Sequence, residues 1–289
     1  MRGLSLRRMF RISRFQVFLV AGLTLLAAFM LLPIVYIVNH AFKPFHELFL
    51  YPPTFIVKQP TLQNFYDLLL VTQTSIVPMS RYLFNSIFVT GLNVMATLLF
   101  SVLCAYPLSK HKFPGKNLIF STIILSLMFA PETVQIPRYF VISETGIMNT
   151  YLAHVLPLVA MPVGVFLMKQ FIDQLPDALL EAAKLEGANE WMVFHRIVIP
   201  LCMPAVATIS ILAFQSSWGN VETSTLFTED ETMKTLPFYV STLTNGLANN
   251  VANQGVAAAV SLLLFIPNFV IFLLLQRKVI STMAHSGIK

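Results

Sequence analysis

Charged side chains are scarce in this sequence. Only 11% of its 289 residues are Asp, Glu, Lys or Arg, and 56% are hydrophobic, whereas a soluble domain typically carries about 25% charged residues. A large soluble protein with helices this apolar would lack the polar faces that water requires. The composition therefore indicates lipid as the main solvent.

The sequence also lacks the motifs of a nucleotide site or a catalytic centre. Gly115-Lys116 has neither the earlier glycine nor the following Ser or Thr that a P-loop requires. No HExxH zinc motif and no GxSxG nucleophile motif is present. Cys104 and Cys202 form neither a disulfide framework nor a metal-ligand spacing. We therefore expect this chain to bind no cofactor or metal and to have no enzyme activity of its own.

Long uncharged runs dominate the chain instead. A membrane-spanning helix needs about 20 mostly apolar residues. Six runs contain no Asp, Glu, Lys or Arg: Phe15–Val38, Tyr82–Ser109, Asn117–Pro131, Asn149–Met168, Leu201–Val221 and Gly255–Gln276. The third run is the shortest and must borrow residues near Pro131 and Gln135. The sequence thus predicts an all-α integral membrane protein with six transmembrane helices, the first of them uncleaved.

The basic residues are distributed unevenly around these runs. With the N-terminus in the cytoplasm, 14 of the 19 Lys and Arg residues lie on the cytoplasmic side. The positive-inside rule then places both termini in the cytoplasm. The domain organisation is a basic tail at residues 1–14 and one transmembrane domain at residues 15–289. This topology explains the net charge of +6, so no nucleic-acid partner is needed.

A charged segment interrupts the apolar chain between predicted helices 4 and 5. Residues 173–200 are called the charged island. Strong helix formers precede Gly187, which is expected to end a first short helix. A second short helix is predicted from Glu190 to Val198, stopped by Pro200 and Pro204.

The composition of the charged island favours a docking element over an ordinary solvated loop. Pro176 suits the first position of the first helix. Ala182 and Ala183 leave the backbone accessible to another protein. Trp191 and Phe194 are three residues apart, which predicts that both lie on one face of the second helix. There they can anchor it on a partner or on the ends of the membrane helices.

The segment EAAKLEGANEWMVFHRIVIP, residues Glu181–Pro200, resembles the EAA loop of binding-protein-dependent ABC importer permeases. That pattern runs EAA, three residues, Gly, nine residues, then I-x-L-P. Here Ile199 replaces the usual Leu, and Glu186 stands where the carbohydrate branch often has Asp. The resemblance implies an ATPase-coupling role for Glu181, Ala182, Ala183, Glu186, Gly187, Ala188 and Pro200.

Further segments resemble carbohydrate-type permeases along essentially the whole chain. CAYPLSKHKFPGK is similar to the segment after their helix 2, and GIMNTYLAHVLP to the segment before helix 4. FLLLQRKVISTMAHSGIK resembles their last helix and tail, with Thr282 and His285 where glycines are common. FQSSWGN resembles a Trp-Asn element of helix 5, with Gly219 interposed. The subgroup is similar to the six-helix partner subunit of the maltose-type transporters.

The resemblance implies the type I ABC importer permease fold and a place in a larger assembly. The chain would form half of a heterodimeric translocation path with a second permease. Two cytoplasmic ATPase subunits would bind ATP and Mg²⁺, and an extracytoplasmic solute-binding protein would deliver the solute. The assembly would lie in a bacterial or archaeal cytoplasmic membrane and work by alternating access.

Polar side chains inside a membrane bundle are candidates for the substrate path. The candidates are Asn93 in helix 2, Glu132 at the outer end of helix 3, and Gln215, Ser216, Trp218 and Asn220 in helix 5. Each can instead make an interhelical hydrogen bond. The resemblance implies an oligosaccharide or sugar derivative as solute. The alternatives are a glycerol phosphoester or polyamine permease, and, in a different class, a membrane enzyme or independent channel.

Overall fold

The computed structural model describes residues 14–52, 54–73, 77–247 and 253–286. The predicted basic tail, apart from Arg14, lies outside these residues, as does Lys289. The described residues are predominantly helical and contain no β-strand. This confirms the all-α fold class for the part of the chain that the structure describes.

The helices follow one another with short connections. The first are α1 (Arg14–Ala41), α2 (Phe45–Leu48), α3 (Gln63–Gln73), α4 (Met79–Lys110), α5 (Lys116–Ser126), a 3-10 turn (Pro131–Val134) and α6 (Gln135–Glu144). Next come α7 (Tyr151–Val159), α8 (Pro162–Asp173), α9 (Asp177–Leu185), α10 (Glu190–Val193), a π-helical turn (Phe194–Val198) and α11 (Ile199–Leu201). The last are α12 (Met203–Trp218), α13 (Glu222–Leu226), a 3-10 turn (Glu231–Met233), α14 (Leu236–Leu247) and α15 (Gln254–Ser286).

Three segments of the described chain are long and apolar enough to cross a membrane as single helices. They are Phe15–Ala41, Met79–Lys110 and Gln254–Gln276. Three helix pairs meet the same criterion only when joined: Lys116–Ser126 with Pro131–Glu144, bent by 108°, Tyr151–Val159 with Pro162–Asp173, bent by 46°, and Glu190–Leu201 with Met203–Leu226, bent by 76°. Each segment overlaps one of the six predicted runs, although the pairs that end at Glu144 and begin at Glu190 extend beyond their runs into charged sequence. The six-span count and the cytoplasmic termini stay predictions.

The third uncharged run does not form one straight helix up to Pro131. α5 ends at Ser126, and the 3-10 turn then starts at Pro131. Ala130 has an extended backbone with ψ 140°, as a residue before proline prefers. Pro131 has no N–H to continue a helix and begins the next turn instead. The chain therefore bends sharply where the sequence predicted the end of a span.

The chain contains two compact units, of which the first comprises residues 1–69 and 247–262. Residues 63–69 of α3 belong to this unit. Asn64 in α3 donates from Nδ2 to the backbone oxygens of Ala41 and Lys43, at 2.9 and 2.8 Å. The carbonyl groups at and just after the end of α1 thus accept hydrogen bonds, although no further helical turn follows to donate N–H groups to them.

The second unit comprises residues 70–246 and 263–289, and in it α7, α8 and α12 pack along α4. The main apolar core joins these helices to the charged island: Val102, Ala105, Tyr106, Met168, Ile172, Leu180, Val193, Phe194, Val198, Cys202, Ala205 and Ile209. α4 and α8 approach most closely at Gly164. A Cβ at this position would lie 2.6 Å from Oγ of Ser101 and 3.4 Å from Cγ2 of Ile209.

Gly164→Val is expected to lower the melting temperature of the detergent-solubilised protein. The branched side chain would collide with Ser101 and Ile209, and overpacking of this kind costs about 1–3 kcal/mol. Gly91→Val is the matched control, because no atom lies within 4 Å of the Cβ position of this glycine in α4. Equal melting temperatures for the two variants would contradict the close approach of α4 and α8.

Candidate functional site

The charged island folds as two short helices joined by a left-handed glycine turn. α9 ends at Leu185, and Gly187 has φ +91°. The backbone N of Ala188 donates to the oxygen of Ala183, and the N of Gly187 donates to the oxygen of Lys184, both at 3.0 Å. These two bonds form a Schellman motif, which satisfies the last carbonyls of α9 and favours glycine at this position. The predicted helix, glycine turn and second helix are therefore present.

The second helix begins as the sequence suggests but ends differently. Asn189 caps α10, its Oδ1 accepting from the backbone N of Met192 at 2.7 Å. The prediction that Pro200 and Pro204 stop this helix is wrong. The backbone continues through the π-helical turn and α11, and the helix breaks at Cys202. Pro200 lies inside this continuous run and supplies no N–H to the preceding turn, whereas Pro204 lies in the first turn of α12, where the missing N–H has no intrahelical partner to lose.

Pro176 also lies one position from where it was expected. It is the N-cap of α9 with an extended backbone, and Asp177 is the first helical residue. The carboxylate of Asp177 still lies in the first turn, where it complements the positive end of the helix dipole.

One face of the charged island is buried against membrane helices and the other is free. Leu180, Val193 and Phe194 enter the apolar core with Tyr106 of α4 and Ile172 of α8. Of the predicted coupling residues, five are exposed and two are half-buried: Glu181, Ala182, Glu186, Gly187 and Pro200, then Ala183 and Ala188.

The aromatic pair of the second helix is divided between these two faces. The ring of Phe194 lies against Tyr106, with centroids 5.2 Å apart, and only 6% of the residue is exposed. Trp191 contacts Phe194 but is 65% exposed. The two rings are 5.5 Å apart, as neighbours on one side of the helix are, but only Phe194 is buried against α4, and Trp191 lies at the edge of the contact. Leu185, at the end of α9, is 91% exposed.

Ion pairs tie the charged island to the end of α4. Nζ of Lys110 donates to the carboxylate of Asp177 and to the backbone oxygen of Leu175, each at 2.7 Å. The hydrogen bond and positive charge of Lys110 hold the pKa of the Asp177 carboxyl below its ordinary value. The hydroxyl of Ser109 donates to Asp173, which also pairs with Lys169 at 2.6 Å. The carboxylates of Asp173 and Asp177, at the start of the charged island, are thus paired with lysines. Glu181 and Glu186 are exposed on the free face.

The predicted substrate-path residues do not form one cluster. Asn93 is buried in α4, where its Oδ1 accepts from Oγ1 of Thr97 at 3.2 Å and its Nδ2 has no partner. Trp218 is buried and donates from Nε1 to the backbone oxygen of Leu264 at 3.0 Å. Asn220 accepts from the backbone N of Thr223 at 2.9 Å. These contacts give Trp218 and Asn220 structural roles.

Three of the candidates remain accessible. Gln215 and Ser216 are exposed on α12, immediately before the buried Ser217 and Trp218. Glu132 is exposed in the 3-10 turn before α6. Of the six predicted substrate-path residues, these three are exposed, and the hydroxyl of Ser216 donates to the backbone oxygen of Ala213 at 3.2 Å.

A charge pair between α6 and α13 was missed by the sequence analysis. Nη1 of Arg138 donates to both carboxylate oxygens of Glu222, at 3.1 and 3.3 Å, and both side chains are about three-quarters buried. The pair holds the bent third segment against the residues that follow α12. The two residues are 84 positions apart, so local spacing gave no signal for their contact.

A family model described as a binding-protein-dependent transport system inner membrane component matches residues 9–281. The chain belongs to this family. The arabinooligosaccharides transport system permease protein AraQ of Halalkalibacterium halodurans is 28% identical over 271 residues, which cover 94% of this chain and 95% of the relative. The sn-glycerol-3-phosphate transport system permease protein UgpE of Yersinia enterocolitica is 33% identical over 201 residues, covering 69% and 71%.

A solved structure supports the same fold. A chain in the crystal structure of a bacterial ABC transporter involved in the import of the acidic polysaccharide alginate matches with a TM-score of 0.77. The match has 21% sequence identity and covers 92% of this chain and 98% of the other. The predicted permease fold is confirmed, and family membership identifies the chain as a membrane transport subunit without an ATPase site of its own.

Trp218→Phe is expected to destabilise the protein because it leaves the backbone oxygen of Leu264 without its indole donor. The carbonyl keeps its bond within α15, so the loss is that of one hydrogen bond, about 0.5–1.5 kcal/mol. Thermal unfolding in detergent measures the loss, with Trp191→Phe as control, since the indole of that residue is largely exposed. A Trp218→Phe protein that melts with the wild type would contradict the structural role assigned to Trp218.

Proposed function

We propose that this chain is a permease subunit of an ATP-driven importer, forms half of a heterodimeric path for a carbohydrate, and is driven through its charged island. One observation carries the proposal. The island presents a free helix–turn–helix surface while its opposite face is fixed to α4 and α8 by the apolar core and by ion pairs. A force applied to the free surface is therefore transmitted to membrane helices.

The free surface of the charged island is suited to bind in a groove on another protein. Ala182 and Gly187 expose backbone, and Leu185 and Trp191 supply an apolar contact. Helices of this kind bind in grooves through a few apolar anchors. We propose that one of two cytoplasmic ATPase subunits provides this groove, and that Glu181, Ala183, Glu186, Ala188 and Pro200 complete the contact.

The remaining partners follow from the same proposal. ATP and Mg²⁺ bind to the ATPase subunits, whose closure displaces the charged island and shifts the bundle between inward-open and outward-open states. A second, homologous permease completes the path. An extracytoplasmic solute-binding protein delivers the solute, which agrees with the family description as a binding-protein-dependent component. The assembly lies in a prokaryotic cytoplasmic membrane, with both termini of this chain in the cytoplasm.

An oligosaccharide or sugar derivative is the solute we propose. AraQ is described as a permease for arabinooligosaccharides, and the matching crystal structure belongs to an importer of a polysaccharide. Gln215 and Ser216 offer exposed amide and hydroxyl groups, which suit the hydroxyls of a sugar. Asn93 and Glu132 are retained as secondary candidates. Trp218 and Asn220 would not contact the solute but would fix the end of α12, next to Gln215 and Ser216, through their own hydrogen bonds.

A glycerol phosphoester is the second candidate solute, because UgpE is described as a permease for sn-glycerol-3-phosphate. A phosphoester requires a free cation in the path. Arg138 lies in the bent third segment, but its charge is already paired with Glu222. This pairing favours the carbohydrate over the phosphoester. A polyamine, the other alternative, would instead need several acidic side chains in the path.

Gly187→Val is expected to uncouple ATP hydrolysis from uptake in the reconstituted complex. The left-handed backbone at this position costs a residue with a Cβ about 1–2 kcal/mol, which corresponds to a roughly tenfold lower population of the turn. No atom lies within 4 Å of the Cβ position of Gly187, so the effect arises from the backbone and not from a collision. Uptake per ATP hydrolysed, measured in proteoliposomes, is the test.

Gly146→Val is the matched control for this experiment. Gly146 also has a positive φ, +69°, with no atom within 4 Å of its Cβ position, but it lies outside the charged island. It should retain the wild-type ratio of uptake to ATP hydrolysis. Wild-type coupling in the Gly187→Val protein would overturn the proposed role of the island.

The solute is tested by the ATP hydrolysis rate of the same complex. Its solute-binding protein is supplied with arabinooligosaccharides, alginate oligosaccharides or sn-glycerol-3-phosphate. We expect stimulation by a carbohydrate and none by the phosphoester, because Arg138 is occupied by Glu222. If sn-glycerol-3-phosphate alone stimulated ATP hydrolysis, the solute would be a glycerol phosphoester and not a carbohydrate.

A further inference from the structure

Helix α4 carries the same arrangement of side chains at its two ends. At one end the hydroxyl of Tyr82 donates to Glu231 at 3.1 Å, and Glu231 also pairs with Lys234. At the other end the hydroxyl of Tyr106 donates to Glu190 at 2.9 Å, and Glu190 also pairs with Lys184. Both tyrosines are buried, at 5% and 7% exposure. Each end of α4 is thus fixed to a polar segment by a tyrosine hydroxyl and a carboxylate.

The arrangement at Tyr106 involves both helices of the charged island. Glu190 is the first residue of α10. Its two carboxylate oxygens bind different partners, Oε1 the ammonium group of Lys184 in α9 and Oε2 the hydroxyl of Tyr106 in α4. The Tyr106 ring also contacts Phe194, at a centroid distance of 5.2 Å. One carboxylate therefore connects α9, α10 and α4.

The backbone connection from the charged island to α12 is less direct. After α10 it passes through the π-helical turn Phe194–Val198 and then a break at Cys202, and the segment is bent by 76°. π-helical turns and sharp bends are places where a helix changes direction. A displacement of the island can be absorbed there. Of the direct polar contacts with α4, those of Lys110 hold only the start of the island, at Leu175 and Asp177, whereas the hydrogen bond of Tyr106 holds α10 and, through Glu190 and Lys184, the end of α9.

We infer that Tyr106 is a positioning residue that fixes the charged island to α4 and passes the displacement of the island to that helix. This rests on the proposed function, because the displacement originates in the ATPase subunits. Tyr106 acts through Glu190 and need not contact solute or nucleotide. Tyr82, with the same chemistry at the other end of α4, is outside this connection.

Tyr106→Phe tests the inference because it removes the hydroxyl and keeps the ring. The experiment uses the full complex in nanodiscs, either nucleotide-free or with Mg·ATP and vanadate. Hydrogen–deuterium exchange is compared in two peptides, residues 177–193 of the charged island and residues 79–90 at the far end of α4. In the wild type we expect nucleotide to change exchange in both. In Tyr106→Phe we expect the change in the island to persist and the difference in exchange of residues 79–90 between the two nucleotide states to become smaller, since the apolar core and the contacts of Lys110 remain.

Tyr82→Phe is the matched control. Its exchange rate at residues 79–90 is expected to rise in both nucleotide states, because a local hydrogen bond is lost. The ratio of the exchange rates in the two nucleotide states is expected to equal that of the wild type. The role of Tyr106 would be overturned if the ratio of exchange rates between the two nucleotide states at residues 79–90 were unchanged in Tyr106→Phe. It would also be overturned if this ratio fell equally in both variants. No nucleotide response of the island in the wild type would instead overturn the proposed function.

Glu190→Ala provides a second variant should Tyr106→Phe assemble poorly. If Tyr106 acts through Glu190, Glu190→Ala reduces the nucleotide response of residues 79–90 as much as Tyr106→Phe does, and the double variant has no further effect, since residues of one network are not additive. A nucleotide response of residues 79–90 that survives undiminished in Glu190→Ala would contradict the inference.

Discussion

Polar and small side chains along one face of α4 hold the second unit together. Apolar surface gives no driving force for association between helices surrounded by lipid, so close packing and hydrogen bonds must provide it. The buried polar residues of α4 recur at helical spacing: Asn85, Ser86, Thr90, Asn93, Thr97 and Ser101. Thr90 is paired with Ser217 of α12, and Ser101 lies against Gly164 of α8. The packing of the bundle depends on this face.

The same helix explains why the charged island is rigid on one side and free on the other. Nearly every polar contact of the island with the membrane helices is made by the last turn of α4 or the end of α8, through Tyr106, Ser109, Lys110 and Asp173. These contacts neutralise charges close to lipid, where an unpaired charge is costly. The outer face has no such requirement and keeps its acidic and apolar side chains exposed. The docking surface that we propose is this outer face, on which the charges are not paired with the membrane helices.

Sequence reasoning predicted what depends on composition and local backbone geometry. The uncharged runs located the membrane segments, and Gly187 marked the turn because few other residues adopt φ +91° without strain. It did not predict the bends at Pro131 and Cys202, since hydropathy measures apolar length and not direction. The Arg138–Glu222 pair and the indole bond of Trp218 join distant parts of the chain, and no local pattern encodes such contacts.

The arrangement of four consecutive residues in α12 bears on how a path could form. Gln215 and Ser216 are exposed, whereas Ser217 and Trp218 are buried against α4 and α15. A polar amide facing lipid would be left without hydrogen-bond partners. Each unsatisfied polar group in the hydrocarbon core costs roughly several kcal/mol. Gln215 is therefore better suited to a surface that meets water, solute or a second subunit. The path that we propose between two permeases would be such a surface. Each subunit would contribute exposed polar side chains that neither its own core nor the bilayer covers.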